Sequence, residues 1–426
     1  MDEIARTAGG EMRGGPPAAL PAPTATVHAV ATYLPEKERQ GVALCLSGGG
    51  FRAALFHLGA LRRLNELGVL GRVDTLSAVS GGSILAAHLV EAIPDWPAPG
   101  AIIPAADWEE RIAAPFRAFV GKNLRTVPIL MRLLPWNWFR GATMVEALAK
   151  GQAALTHRTL DELPERPSYL FCATDMVYGA YWVFARERVG ENWYVGERRP
   201  APAWPVARAV AASSCWPPVF DPLPLRLRPD EYTGHQEPDH DRATHLAHMS
   251  LTDGGVYDNM GLEPVWNTAR VVLVSDGGGT FHHESRWNLV QRVMRYQNIV
   301  QNQARAVRKR WLMSNFLQGV LHGTYWGIST KVAHYDLPGA RGYSDALVDD
   351  ILSRVRTDMD AFRPAEIAVL ENHGYFLAEA AIRQHAKELI APDALPFAAP
   401  HPDWLDEAQI RAAMKDSGTV TLLGRW

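Results

Sequence analysis

An α/β fold built on a mostly parallel sheet is predicted by three features near the start of this 426-residue chain. Val42 to Leu46 is an apolar run suited to a buried strand. Leu55, Leu58, Leu61 and Leu64 follow at helical spacing, and Gly68 offers a left-handed stop. Val73 to Val79 is a second short apolar run. A right-handed crossover makes two strands joined in this way parallel neighbours. The turns that end them, Ser47-Gly-Gly-Gly-Phe-Arg52 and Ala78-Val-Ser80-Gly-Gly-Ser83, then lie at the carboxyl ends of adjacent strands, where open α/β sheets bind ligands.

The remaining elements follow in order. Residues 1–36 are rich in Gly, Pro, Ala and Thr and read as a tail without a core of its own. Residues 37–426 read as one domain carrying insertions at about 94–140 and 228–246. Within the first, 94–106 is a Pro-rich loop and 120–140 an apolar, Trp-bearing stretch. Ser168 to Thr174 and Tyr181 to Glu187 read as strands joined by a turn at Gly179. Pro205 to Ser213 reads as a short helix closed by Pro217-Pro218. Residues 228–246 are polar, without periodicity, and read as a surface loop. Val271 to Ser275 is another buried-strand run. From about residue 285 the chain turns helical, with long patterns at 285–312 and 364–389. There is no internal repeat.

Composition excludes several classes. An apolar fraction of 47% and a charged fraction of 21% are those of an ordinary globular chain. A net charge of −3 gives no pull toward nucleic acid. The three cysteines, Cys45, Cys172 and Cys215, lie in apolar contexts without short spacings, which argues against a disulfide framework and for a reducing, cytoplasmic compartment. No leader is visible before the tail, and no 18-residue apolar run exists to span a membrane.

The chemistry is expected at the two glycine turns. Gly48-Gly49-Gly50 is not a dinucleotide fingerprint, because Ala53 stands where the third glycine would fall, and no Gly-Lys-Ser/Thr follows for a phosphate loop. Ser80 could serve as a helix N-cap. Its neighbours Ala78, Gly81 and Gly82 instead satisfy the need of a nucleophile elbow for small residues at a sharp strand-to-helix turn. A serine there faces the backbone N–H groups of the other turn, the arrangement of a nucleophile beside an oxyanion hole. An activated serine needs a base. Asp253-Gly254-Gly255 and Asp276-Gly277-Gly278-Gly279 are both candidate turns, and composition does not rank them. His57, His282 and His283 lie near candidate turns but carry no local signature.

In chain order, Gly48-Gly49-Gly50-Phe51-Arg52, Val79-Ser80-Gly81-Gly82-Ser83, Ala211-Ala-Ser-Ser214 with Pro217-Pro218, and Asp253-Gly254-Gly255-Val-Tyr-Asp-Asn259 resemble the patatin-like phospholipase family. The motifs span roughly residues 40–280, with weaker similarity onward to about 390. The resemblance implies a three-layer α/β/α fold and a Ser–Asp dyad. Ser80 is then the nucleophile and Asp253 the base. Gly48, Gly49 and Gly50 supply oxyanion N–H groups, Arg52 supports that loop, and Gly81, Gly254 and Gly255 shape the two turns. One departure is Ala78, where many members carry glycine. The implied activity is hydrolysis of lipid esters through an acyl-enzyme, without metal or organic cofactor. A carboxylesterase of soluble short-chain esters and an effector-gated or non-catalytic lipid-binding protein are the alternatives.

The implied partner is a lipid or membrane-surface substrate. Leu124 to Phe139 mixes Leu, Ile and Met with Arg125, Arg132, Trp136 and Trp138, as interfacial segments do. The alternative is a lid or core helix, with Pro128 and Pro135 breaking regularity. The run Arg305-Ala-Val-Arg308-Lys309-Arg310 reads as a solvated face or a contact for phosphate headgroups. His235, Asp239, His240 and Asp241 are spaced too irregularly for a metal site and read as a polar loop.

Overall fold

Alternating side chains along the predicted strands explain the layers. In β1 (Val42–Leu46) Leu44 and Leu46 face one apolar core, while Ala43 and Cys45 face another. The same alternation in β9 (Val271–Asp276) sends Leu273 to the first core and Val272 and Val274 to the second. A sheet with two apolar faces must be covered on both. The computed structural model describes residues 38–137, 141–236, 239–281, 288–421 and 424–426.

The sheet is mixed, with a parallel centre. The strand order is β10-β9-β1-β2-β3-β4-β5-β6, with β2 at Thr75–Val79, β3 at Ser168–Asp175, β4 at Tyr181–Phe184, β5 at Val189–Glu191, β6 at Gly196–Arg198 and β10 at His322–Gly327. Pairing is parallel from β10 to β3 and antiparallel from β3 to β6. Off this path, β7 (Leu223–Leu225) pairs with β8 (Met249–Asp253), and β8 pairs antiparallel with β3. The larger core is covered by α1 (Gly50–Glu66), α2 (Gly81–Ala92), α4 (Val206–Ser214) and α6 (Pro364–His385), with α3 (Thr126–Leu133) at its margin. Residues 260–269 and the end of α5 (Leu289–Leu317) cover the smaller one. These layers form the α/β fold expected.

Several expectations are corrected. The 120–140 stretch does contain a helix, α3, because Pro128 falls in its first turn, where a missing N–H costs nothing. Trp138 and Phe139 lie outside the described residues, as does the expected 1–36 tail. The 228–246 segment is not wholly irregular: a 3₁₀ turn forms at Pro229–Glu231 and a helix at Arg242–Ala247, which buries Leu246 in the core. β4 stops at Phe184, where Ala185 N–H bonds back to the Arg188 carbonyl in a tight turn. β10 was not foreseen, since His-Gly-Thr-Tyr-Trp-Gly has a weak strand composition; the parallel ladder on β9 holds it. The last long helix ends at His385, short of the predicted 389. Among the described residues no helix is long and apolar enough to cross a membrane.

α1 and α6 cross with their backbones almost touching. A Cβ on Gly59 would lie 1.9 Å from the Glu371 carbonyl oxygen, and one on Gly374 would lie 1.9 Å from the Phe56 carbonyl oxygen. Each glycine is the space the other helix occupies. On an isolated helix Gly→Ala gains about 1 kcal/mol. At this crossing overpacking outweighs that gain, so Gly59→Ala is expected to cost a net 2 kcal/mol or more, on the order of a severe core overpacking. A thermal melt of Gly59→Ala at or above the wild-type midpoint would contradict this crossing.

Candidate active site

The register of β3 brings two strand ends together. β4 occupies one edge of β3 at Phe171–Thr174, so β2 and β8 share the other. Val79, the last residue of β2, pairs with Cys172, and Asp253, the last of β8, pairs with Ala173. β2 and β8 therefore run at each other along one edge and end on consecutive residues of β3. Ser80 and Asp253 meet head to head at that junction.

Ser80 sits at φ 50°, ψ −114°, a conformation that L-residues seldom adopt. Three contacts hold it there. The Ser80 N–H donates to Ser213 Oγ at 2.9 Å, and that hydroxyl donates to the Cys172 carbonyl at 2.6 Å. A Cβ on Gly81 would lie 2.2 Å from the Gly50 carbonyl oxygen, and one on Gly82 would lie 2.3 Å from that of Leu46, so the elbow rests directly on the first glycine turn. Ser213 also accepts the Gly254 N–H through its carbonyl at 3.3 Å, tying the Asp253 turn to the elbow. The sequence motif containing Ser213 was recognised, but not this role. A hydroxyl with two backbone partners leaves no signature in a sequence.

The three expected oxyanion donors divide. Gly48 N–H donates to the Asn259 carbonyl at 3.0 Å. Gly49 and Gly50 line a cavity of about 450 Å³ with Ser80, and their N–H groups find no acceptor among the described residues. Both have positive φ, at 141° and 59°. They open α1, whose first turn carries no acidic residue; its Phe51 N–H is taken by the Asp358 carbonyl at 2.9 Å. Arg52 is buried and faces away from the cavity. Its guanidinium donates to the carbonyls of Gly277 and Val355, and burial pulls its pKa down to about 9. It pins α1 to two neighbouring loops.

The two aspartates differ in surroundings. Asp253 is fully buried; its Oδ1 accepts the Gly255 N–H at 2.7 Å and its Oδ2 makes no hydrogen bond of normal geometry. Burial pushes its pKa up to about 7, against the opposing pull of the Gly255 N–H and the nearby Ser80 hydroxyl. Asp276 is equally buried, but Arg305 lies on its Oδ2 through Nε and Nη2 at 2.9 and 2.5 Å, and the Tyr325 hydroxyl donates to it at 2.8 Å. Burial would raise Asp276; the ion pair overrides it and holds the carboxyl at about 2. Asp253 is the carboxyl poised to take a proton near neutral pH, and Asp276 is committed to an ion pair.

Other candidates fall elsewhere. His57 is buried behind the first turn: its Nε2–H donates to the Ser47 carbonyl at 3.0 Å, and its Nδ1 accepts from Ser275 Oγ at 2.7 Å. Burial lowers its pKa to about 4, so it stays neutral. His282 and His283 lie outside the described residues. Among the described residues that line the cavity there is no histidine. The 305–310 run is not a uniform solvated face. Arg305 pairs with Asp276, Arg308 donates to the Tyr257 carbonyl at 2.8 Å, and Lys309 lies over the Tyr325 ring, leaving Arg310 exposed. Asp239 is bonded by Tyr178 and His245.

Comparison with known proteins places the chain. The model of the patatin-like phospholipase family matches residues 44–266. No curated protein matches. Among solved structures, human GIVD cytosolic phospholipase A2 in complex with methyl gamma-linolenyl fluorophosphonate is 16% identical with a TM-score of 0.44, covering 82% of this chain and 59% of that one. The same human protein in another structure is 15% identical with a TM-score of 0.38, covering 56% and 45%. VipD from Legionella pneumophila is 14% identical with a TM-score of 0.35, covering 89% and 75%. The chain thus spans about half the length of the human phospholipase structures it resembles.

The raised Asp253 carboxyl links the site to stability. A folded-state pKa of about 7, above an unfolded value near 3.8, means the folded protein holds a proton that the unfolded chain has released between those pH values. Stability from this group is fully present below about pH 3.8 and is lost as pH rises toward 7. Asn in its place cannot ionise. Asp253→Asn is therefore expected to melt higher than wild type at pH 8 and to lose that advantage at pH 4.5. A melting difference independent of pH would refute the assignment.

Proposed function

Since the chain belongs to the patatin-like phospholipase family, whose model spans more than half of it, we propose that it is a lipid acyl hydrolase using Ser80 as nucleophile and Asp253 as base. The observation that carries this reading is the pairing of a strained, cavity-lining serine with a buried carboxyl whose pKa lies near neutrality. A general base works best with a pKa close to the working pH.

Ionised Asp253 takes the Ser80 proton as Oγ attacks the ester carbonyl. The carbonyl oxygen becomes an oxyanion, stabilised by the free N–H groups of Gly49 and Gly50 and by the positive end of α1. Asp253 then returns the proton to the leaving alcohol. The acyl group stays on Ser80 until a water, deprotonated by Asp253, releases it as the free acid. Trp216, Val219 and Phe220 give the cavity apolar lining for an acyl chain, and Asn298 and Asn302 of α5 add amides to the same lining. That mixture suits an amphiphile.

The lipid surface reading rests on α3. Val127 and Leu130 share one face at i and i+3 and are 48% and 45% exposed, with Leu134 just past the helix end at 38% and Trp136 beside it at 68%. A lid folded onto the domain would bury these side chains, and a surface meant only for water would not carry them together.

Three outcomes are expected. Ser80→Ala loses hydrolysis by about 10⁴-fold or more while keeping its fold; residual activity of several per cent would place the nucleophile elsewhere. For wild type, kcat/KM on a soluble ester rises with pH and levels off above about 7, as Asp253 ionises; a profile flat from pH 5 to 9 would remove Asp253 as base. Changing Val127, Leu130 and Trp136 together to Ser lowers hydrolysis of phospholipid vesicles about tenfold or more and spares a soluble short-chain ester. Equal losses on both would favour a carboxylesterase in which α3 is structural.

A further inference from the structure

Three glycines from three separate motifs surround one side chain. A Cβ on Gly48 would lie 2.4 Å from Asn259 Oδ1, and one on Gly255 would lie 2.5 Å from the same atom. A Cβ on Gly278 would lie 2.4 Å from Asn259 Nδ2. None of these three positions has the positive φ that would itself require glycine. The Asn259 amide occupies the space that side chains at the oxyanion turn, the Asp253 turn and the Asp276 turn would need.

Polar contacts point the same way. The Asn259 carbonyl accepts the Gly48 N–H at 3.0 Å, and its Nδ2 donates to the Gly48 carbonyl in a long 3.4 Å bond. Gly48 is thus held at both backbone groups by one residue. Asn259 is itself fixed from behind. The preceding carboxylate, Asp258, accepts the N–H groups of Met260, Leu262 and Glu263 at 3.1, 2.6 and 2.9 Å, which locks the turn carrying the amide. Asn259 also lines the cavity with Ser80.

We infer that Asn259 is a positioning residue for the reaction: its amide spaces the oxyanion turn from the Asp253 turn, so that Gly49 and Gly50 aim at the oxygen developing on the Ser80 substrate. The inference rests on the Ser80–Asp253 reading and goes beyond it. Oxyanion donors act only when pre-set at the place where charge appears, and a shift of about 1 Å can cost 10²-fold in rate. Such a residue acts on the transition state and leaves substrate binding nearly alone.

The test is a double-mutant cycle on hydrolysis of a soluble p-nitrophenyl ester, with melting points of every variant. Asn259→Ala leaves the Gly48 turn unspaced. Gly278→Ala keeps Asn259 but pushes its amide aside. Each is expected to lower kcat about 10- to 100-fold with KM within about threefold. Asn259→Ala with Gly278→Ala is expected to be no slower than Asn259→Ala alone, because the added methyl's one contact under 3.0 Å, Asn259 Nδ2 at 2.4 Å, is then gone, leaving Asp276 Oδ1 at 3.0 Å and the Gly48 carbonyl oxygen at 3.2 Å. Should Asn259→Ala not fold, Gly278→Ala carries the test alone through its kcat against KM. Full kcat in the folded fraction of Gly278→Ala, or multiplicative losses in the double variant, would overturn the role. Wild type is first compared with Ser80→Ala. Equal rates there would refute the hydrolase reading, whereas Ser80-dependent turnover untouched by either variant would refute only Asn259.

Discussion

Two strand-ending turns can lie against each other only if neither carries a side chain at the contact. That constraint governs this molecule. The elbow at Ser80 sits on the turn at Gly48–Gly50 with Gly81 against the Gly50 carbonyl and Gly82 against the Leu46 carbonyl. Because β1 and β2 are parallel neighbours in register, the contact follows from the ladder itself. Ser80 and the backbone of Gly49 and Gly50 come within one cavity as a result. The same solution recurs where α1 crosses α6 and where Asn259 fills the space left by three glycines. Bare backbone is the packing material of the whole site.

Burial then does the electrostatic work, and its outcome depends on the partner. Asp253 and Asp276 both end a strand, both precede glycines and both are withdrawn from water. Desolvation acts on each in the same direction. For Asp253 it is opposed by neutral donors, which recover part of the lost hydration, and the carboxyl stays protonatable near neutrality. For Asp276 it is opposed by a guanidinium in contact, which recovers more than was lost. One aspartate is left able to exchange a proton; the other ties α5 to the end of β9. Arg52, buried on backbone carbonyls, serves the same structural purpose for α1.

Much of this was legible in the chain, for physical reasons that act over short distances. The strand–helix–strand unit at 42–79 was readable because apolar periodicity and a glycine stop are local signals. The turn at Ser80 was readable because a sharp elbow excludes Cβ atoms, and exclusion of side chains is visible in composition. Helix α3 was obscured by a proline whose effect depends on its position in the first turn. β10 was obscured because its pairing with β9, distant in sequence, outweighs a poor strand composition.

The sequence by itself determined the glycine turns, the strands they terminate, the small residues around Ser80 and the apolar runs of the central strands. Each is a property of a few consecutive residues. Only the tertiary structure separated Asp253 from Asp276, bonded the Gly48 N–H to the Asn259 carbonyl, and turned Arg305 and Arg308 inward. These depend on which groups, far apart in the chain, are desolvated together. A carboxylate's pKa, a free N–H and the space for an amide are set by what surrounds them, and a linear sequence does not state the surroundings.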